Sequence, residues 1–115
     1  MTSSTSPPAF PDSLLSLKAA LSEFAAARDW DRFHLPKNLA MALIVEAAEL
    51  VEHFQWLTPE ESRNLDAAKR GEVADEIADV LLYLIRIADV LGIDPVDTAW
   101  GKMLKNAVKY PAPER

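Results

Sequence analysis

Apolar residues recur at steps of three and four along most of the chain, and no segment alternates apolar and polar residues over the length of a strand. After Pro36, for example, Leu39, Leu43, Leu50 and Phe54 fall on one face of a helix. This repeat is typical of an amphipathic helix, whereas a half-buried strand requires a repeat of two. The sequence therefore predicts an all-α fold, a bundle of four to five helices.

Prolines and glycines indicate where these helices begin and end. Pro36, Pro59 and Pro95 each open an apolar-periodic segment, where the missing N–H removes no helical hydrogen bond. Gly92 is predicted to end the longest helix in a left-handed conformation, and Gly71 to mark a break before that helix. The predicted helices span about 13–28, 36–56, 59 onward, 72–91 and 95–108.

Composition excludes several classes of protein. The 115 residues include 18 acidic and 12 basic ones, and the net charge of −6 disfavours a nucleic-acid surface. No apolar run approaches the roughly 20 residues of a membrane span. The absence of cysteine excludes disulfides and thiolate metal sites, and the N-terminus does not resemble a secretory signal, so we expect a cytoplasmic protein. We also expect a flexible leader at 1–11, one domain at 12–110 and a tail at 111–115.

Two pairs of carboxylates lie beside the predicted apolar faces. Glu46 and Glu49 lie about 60° and 120° from the centre of the apolar stripe on their helix, and Glu76 and Asp79 flank a stripe centred on Ile77. Acids three residues apart share a helix face and repel one another when both are ionised. Oxygen ligands from two helices suit a hard divalent cation, so the pattern favours a Mg²⁺ or Mn²⁺ site over the alternative of solvated acidic faces.

The same acids fit a known family pattern. Glu46-Ala-Ala-Glu49 and Glu76-Ile-Ala-Asp79, with 26 residues between them, resemble the E-x-x-E…E-x-x-D signature of the MazG-type nucleoside triphosphate pyrophosphohydrolases. The similarity covers nearly everything after the leader, and it is greatest to the single-domain dCTP pyrophosphatase branch. The other matching segments are Arg28-Asp29-Trp30, Phe33-His34, Pro36-Lys37-Asn38-Leu39, Phe54-Gln55-Trp56, the run 79–84, and Lys102-Met103…Asn106…Lys109-Tyr110-Pro111.

This resemblance implies a fold, an assembly and a reaction. The fold would be the all-α bundle of these pyrophosphohydrolases, assembled as a homodimer or homotetramer. The reaction would be Mg²⁺-dependent hydrolysis of an NTP or dNTP, with dCTP or a modified dCTP favoured, to the monophosphate and pyrophosphate. Two alternatives stay open: a related enzyme that acts on dUTP or phosphoribosyl-ATP, and a non-catalytic helical interaction protein.

The resemblance also assigns roles to individual residues. Glu46, Glu49, Glu76 and Asp79 would bind the metal, and we choose Glu49 as the carboxylate that orients or deprotonates the attacking water. The predicted substrate contacts are Trp30, Asn38, Trp56, Tyr83, Lys102, Asn106, Lys109 and Tyr110.

Two further positions bear on how the base would be recognised. Leu21 stands where the animal dCTP pyrophosphatases have a base-contacting histidine, so we expect an apolar pocket wall and only a modest preference for dCTP. The histidines His34 and His53 are the candidate general bases among imidazoles, and we interpret both as structural or surface residues.

Overall fold

The computed structural model describes residues 13–114 and contains five α-helices in that range. The helices are α1 (Leu14–Ala27), α2 (Pro36–Glu52), α3 (Pro59–Arg63), α4 (Ala67–Val90) and α5 (Pro95–Lys109). The prediction of an all-α fold with four to five helices is confirmed. No helix in the described range is long and apolar enough to cross a bilayer. The predicted leader at 1–11 lies outside the described residues.

Local signals in the sequence set most of the helix ends. The three prolines occupy first-turn positions, as predicted. Thr58 and Glu61 form a reciprocal capping box: the Glu61 N–H donates to Thr58 Oγ1 at 3.1 Å, and the Thr58 N–H donates to Glu61 Oε1 at 2.8 Å. Gly92 has φ 69°, the left-handed conformation that glycine adopts without a Cβ clash, just after α4.

Two predicted boundaries are wrong. Gly71 does not break the chain but lies inside α4, which begins at Ala67 because the Asp66 carboxylate accepts the Lys69 N–H at 2.8 Å and caps the helix. The roughly 1 kcal/mol cost of one glycine is small against the packing of a helix of 24 residues. At the other boundary, α2 ends at Glu52, and the following backbone bonds tighten into turns that leave Trp56 outside the helix.

Helix α4 is the centre of the structure. It packs along α2 over their most extensive shared contact, and α1 packs against it over a smaller one. The buried apolar side chains come from these three helices: Ala25, Leu39, Val73, Ile85 and Ala88. The core is therefore a three-helix contact, with α5 outside it.

Much apolar surface stays uncovered in the single chain. Ile77, predicted at the centre of the buried stripe of α4, is 53% exposed, because α2 and α1 cover a different face of that helix. The chain exposes 9519 Å², whereas a compact monomer of 12.7 kDa exposes about 6,200 Å². Its radius of gyration of 18.1 Å also exceeds the roughly 13 Å of a compact chain of this length. The single chain is open, and its helices present faces that nothing within residues 13–114 covers.

Candidate metal and nucleotide site

The packing of α2 on α4 brings three glutamates together. One carboxylate oxygen each from Glu46, Glu49 and Glu76 lies within 4.8 Å of the others, and all three side chains are half-buried. Asp79 lies one turn beyond Glu76 and is close enough for its charge to act on both Glu46 and Glu76. Four acids from two helices therefore share one small region of the structure.

Two of these carboxylates have an oxygen with no partner. Glu46 Oε2 and Glu76 Oε2 are buried and accept no hydrogen bond from any described residue. The pKa of Glu46 is raised to about 7, mainly because burial removes water from its carboxyl group and then because Glu49 lies beside it. The same two causes raise the pKa of Glu76. A buried anionic oxygen without a partner is costly, and a divalent cation is the group that would satisfy several at once. The donor set fits Mg²⁺ or Mn²⁺.

The raised pKa of Glu46 predicts how the stability of the metal-free protein depends on pH. A carboxyl that binds its proton more tightly in the folded state stabilises the fold at low pH, and that contribution is lost as pH rises from about 4.5 to about 7. Between pH 5 and pH 8, the metal-free wild type should therefore lose thermal stability relative to Glu46→Gln, which has no such proton to lose. Melting temperatures of the two proteins in a chelator test this, and a constant difference across that range would contradict it. Added Mg²⁺ should reverse the trend in the wild type, because the occupied site requires ionised carboxylates.

A pocket adjoins the acids on the side of α1. Its volume is about 200 Å³, and Asp79 belongs both to this pocket and to the acidic region. Its other lining residues are Leu21, Phe24, Trp30, His34, Leu39, Leu82, Tyr83 and Arg86. An aromatic and apolar cavity beside a cluster of carboxylates suits a ligand with a flat ring at one end and phosphates at the other.

The turn after α1 places Trp30 in this pocket. Asp29 takes the left-handed conformation, with φ 56°, and the Trp30 N–H returns to the Ala25 carbonyl at 2.9 Å. The Trp30 indole then meets the Phe24 ring edge to face, with centroids 5.5 Å apart. The short helix-ending turn thereby fixes the aromatic wall of the pocket.

Comparison with known proteins assigns the chain to a family. The profile of the MazG-like family matches residues 41–115. This chain belongs to the MazG-like family. It is 41% identical over 93 residues to human dCTP pyrophosphatase 1, a match that covers 79% of this chain and 55% of the human protein. The mouse protein of the same name is 39% identical over 92 residues, which cover 78% of this chain and 54% of the mouse protein. The chain thus spans about half the length of these relatives.

A solved structure extends the comparison to nearly the whole fold. A pyrophosphatase from Archaeoglobus fulgidus superposes with a TM-score of 0.82 at 40% sequence identity, and the match covers 92% of this chain and 99% of the archaeal one. The resemblance of the sequence to the MazG-type pyrophosphohydrolases is therefore confirmed at the level of family and fold.

The MazG-like chain brings some of the predicted substrate contacts together and leaves others apart. Trp30 and Tyr83 line the pocket. The side-chain amide of Asn38 donates a hydrogen bond to the Phe33 carbonyl oxygen at 3.2 Å. One of its N–H groups therefore stabilises the turn before α2. Trp56 lies outside the pocket and is 86% exposed, because α2, predicted to reach residue 56, ends at Glu52.

The predicted phosphate contacts all lie on or just after α5. They are Lys102, Asn106, Lys109 and Tyr110. Lys109 Nζ lies 5.3 Å from the centre of the Tyr110 ring. Within residues 13–114, α5 has no extensive packing on α2 or α4, so a single MazG-like chain does not hold these cations against the acids.

One pocket residue was missed by the sequence reasoning. Arg86 is only 7% exposed, and it is the one buried charged residue of the described chain. Its guanidinium donates to His34 Nδ1 at 2.9 Å, to Asp89 at 3.3 Å and to an oxygen of Asp31. A single arginine within an apolar run gives no sequence signal of burial, because its partners His34 and Asp31 are 52 and 55 residues away.

Proposed function

We propose that this chain is a nucleotide pyrophosphohydrolase that converts dCTP or a modified dCTP to the monophosphate and pyrophosphate, with Mg²⁺ as cofactor and Mn²⁺ as a possible substitute. Such an activity would remove unwanted nucleotides from the pool that polymerases use. The names of its relatives support the reaction class, since the human and mouse proteins are dCTP pyrophosphatases and the archaeal structure is a pyrophosphatase.

One observation supports this proposal most directly. The acidic region and the aromatic pocket share Asp79, so a ligand whose base contacts Trp30 can extend its phosphates toward Glu46 and Glu76. The two buried carboxylate oxygens without a hydrogen-bond partner belong to Glu46 and Glu76, the acids toward which the phosphates would extend. A nucleoside triphosphate with its divalent cation matches both ends.

Each residue of the site would have its own role in the reaction. Glu46, Glu76 and Asp79 would hold the cation together with Glu49. When bound, Mg²⁺ neutralises triphosphate oxygens and lowers the pKa of a coordinated water. Glu49 would accept the proton of the attacking water, whose oxygen bonds to the α-phosphorus as the bond to the departing pyrophosphate breaks. Lys102 and Lys109 would stabilise the negative charge on the pyrophosphate.

Product analysis tests the proposal. The protein is incubated with Mg²⁺ and each of the NTPs and dNTPs, with phosphoribosyl-ATP included, and the products are separated by ion exchange. We expect dCMP and pyrophosphate from dCTP, and preferential cleavage of dUTP or phosphoribosyl-ATP would instead support the related enzymes. A nucleoside diphosphate and inorganic phosphate would contradict the reaction class. The absence of products, together with a melting temperature that Mg²⁺ leaves unchanged, would favour the non-catalytic interaction protein, because a real metal site must stabilise the fold by mass action.

We also propose that the functional form is a homo-oligomer, a dimer or a tetramer, with active sites near the subunit contacts. The exposed apolar side chains support this, and α5 in particular exposes Trp100, Met103, Leu104 and Val108. A second subunit that covered these faces could also bring α5 cations to the acids. Sedimentation at micromolar concentration should give a mass of two or four chains, and a monomeric mass would contradict the proposal. Nucleic-acid and membrane partners are not expected, and the cytoplasmic location stays a prediction.

A further inference from the structure

Arg86 connects α4 to the turn that carries Trp30. The turn, residues 28–35, contributes Asp31 and His34, and both accept hydrogen bonds from the Arg86 guanidinium. Asp89, on the next turn of α4, accepts a third bond at 3.3 Å. The Arg86 side chain is only 9% exposed, so its end of each bond is shielded from water, whereas the Asp31 carboxylate is 58% exposed.

The bond to His34 fixes where that ring carries its proton. The Nε–H of arginine can only donate, so His34 Nδ1 must be the unprotonated, accepting nitrogen. Burial and then the positive charge of Arg86 lower the pKa of His34, while the Asp31 carboxylate opposes them. Because Nδ1 accepts the bond from Arg86, the ring carries its single proton on Nε2, and the lowered pKa favours this neutral form.

The protonated nitrogen is free to bind a ligand. His34 lines the same pocket as Trp30, and the two ring centroids are 6.0 Å apart. Among residues 13–114, no partner accepts a hydrogen bond from His34 Nε2. The other charged or titratable groups that line the pocket are Asp79, Tyr83 and Arg86, all on α4. The pocket thus has one neutral N–H donor of fixed tautomer beside its aromatic wall.

We propose that Arg86 is a positioning residue of the base pocket: by holding Asp31 and His34 it presents the His34 Nε2–H as a donor to an acceptor atom on the edge of the nucleobase. The inference rests on the proposed function and deepens it. The ligand class is a base with a carbonyl oxygen or unprotonated ring nitrogen on its edge, as cytosine has. Leu21 cannot supply such a contact, so on this side of the pocket the hydrogen-bond donor to the base comes from the turn.

Kinetics of Arg86→Lys test the positioning role. Lysine retains a positive charge opposite Asp31, so the ion pair to the turn remains. It has no Nε–H to donate to His34 Nδ1, so the His34 ring can then carry its proton on either nitrogen. KM for dCTP should rise roughly tenfold with kcat little changed, the effect of losing one hydrogen bond to the base. Asp89→Asn is the matched control, because it leaves both bonds to the turn in place, and its KM should match the wild type.

A double-mutant cycle separates positioning from general stability. His34→Phe preserves an aromatic ring beside Trp30 and removes both nitrogens. In that background Arg86→Lys should no longer raise KM, because the residue through which it acts is absent. An equal rise in both backgrounds, or a loss of kcat with KM unchanged in the single variant, would overturn the proposal.

NMR spectroscopy of His34 tests the inference without a measurement of turnover. Long-range ¹H–¹⁵N correlation spectra of His34 at pH 7 should show the Nε2–H tautomer in the wild type and a mixture of tautomers in Arg86→Lys. Addition of dCMP should shift the Nε2 resonance, whereas 2-deoxyribose 5-phosphate, which has no base, should not. An Nε2 resonance unchanged at the highest soluble dCMP concentration would overturn the inference. Absence of nucleotide hydrolysis by the wild type, with the Nε2 shift present, would instead overturn the proposed function and leave the inference standing.

Discussion

Replacing Glu49 by Gln should lower turnover of dCTP by more than about 100-fold while the helical content stays that of the wild type. Loss of a residue that only supports a metal ligand costs roughly 10–100-fold, and Glu49 is proposed both as a ligand and as the group that accepts the water proton. The fold should survive because removing one of several crowded carboxylates relieves repulsion in the metal-free protein. Single-turnover kinetics and circular dichroism on the same preparation measure the two effects.

The other three acids should behave similarly. Glu46→Gln, Glu76→Gln and Asp79→Asn each remove an anionic oxygen from the acidic region, and each should lose both activity and the Mg²⁺-dependent rise in melting temperature. Glu72 and Asp75 form a second acid pair of the same spacing on α4, but Glu72 pairs with Lys69 at 3.2 Å, outside the cluster. Their amide variants are therefore the controls and should stay active. Retained activity in two of the four site variants would contradict the metal assignment.

Replacing Trp30 by Ala should raise KM for dCTP between roughly tenfold and a hundredfold. Stacking of a base on an aromatic ring is worth about 1–3 kcal/mol, and Trp30 is the indole that lines the pocket. If the base is held equally in the ground and transition states, kcat should change little. The Mg²⁺-dependent rise in melting temperature should stay at the wild-type value, because an indole supplies no ligand to the metal.

Two other tryptophans provide the comparison. Trp100 lies on the exposed face of α5, so Trp100→Phe should leave the kinetics nearly unchanged. Trp56 remains a predicted base contact although it lies outside the pocket of the single chain. A rise in KM for Trp56→Ala as large as that for Trp30→Ala would indicate that a second subunit brings this indole to the base. If neither variant changes KM, the assignment of the pocket to the base is wrong.

The apolar wall at Leu21 limits how selective the proposed pyrophosphohydrolase can be. A hydrophobic surface discriminates poorly between bases that differ in polar edge groups, and a single donor such as His34 adds about one hydrogen bond of preference. We expect a modest preference for dCTP, with other pyrimidine triphosphates or 5-substituted forms also accepted. Competition between dCTP and dTTP measures this, and a preference above about a thousandfold would contradict the argument from Leu21.

The sequence predicts those features of the fold that depend on neighbouring residues. The first-turn prolines, the Thr58–Glu61 capping box and the left-handed Gly92 each act within four residues, and the structure contains all of them. Gly71 shows the limit of such reasoning, because a helix-weakening residue is tolerated when a cap and tertiary packing lie on either side of it. Helix existence was therefore easier to predict than helix boundaries.

Features that depend on distant contacts could not be predicted in the same way. A helical repeat gives the apolar face of α4, but it does not say whether α2, α1 or another subunit covers that face, and so Ile77 was misplaced in the core. The acids were found because their spacing within each helix is itself informative. Arg86 was not found, because its role depends on a turn more than 50 residues away.

The continuity of α4 from Ala67 to Val90 has a consequence for how proteins of this kind can diverge. Glu76, Asp79, Tyr83 and Arg86 follow one another at steps of three and four, so a single helix carries the carboxylates and, about 6–15 Å further along, the pocket residues Tyr83 and Arg86. Insertion or deletion of one residue between Asp79 and Tyr83 would rotate one group relative to the other by about 100° and separate them onto different faces. The spacing between recognition and chemistry is therefore fixed in residue count. New substrate preferences would therefore arise by exchange of pocket side chains at constant helix length, on α4 itself as well as on α1 and in the 28–35 turn.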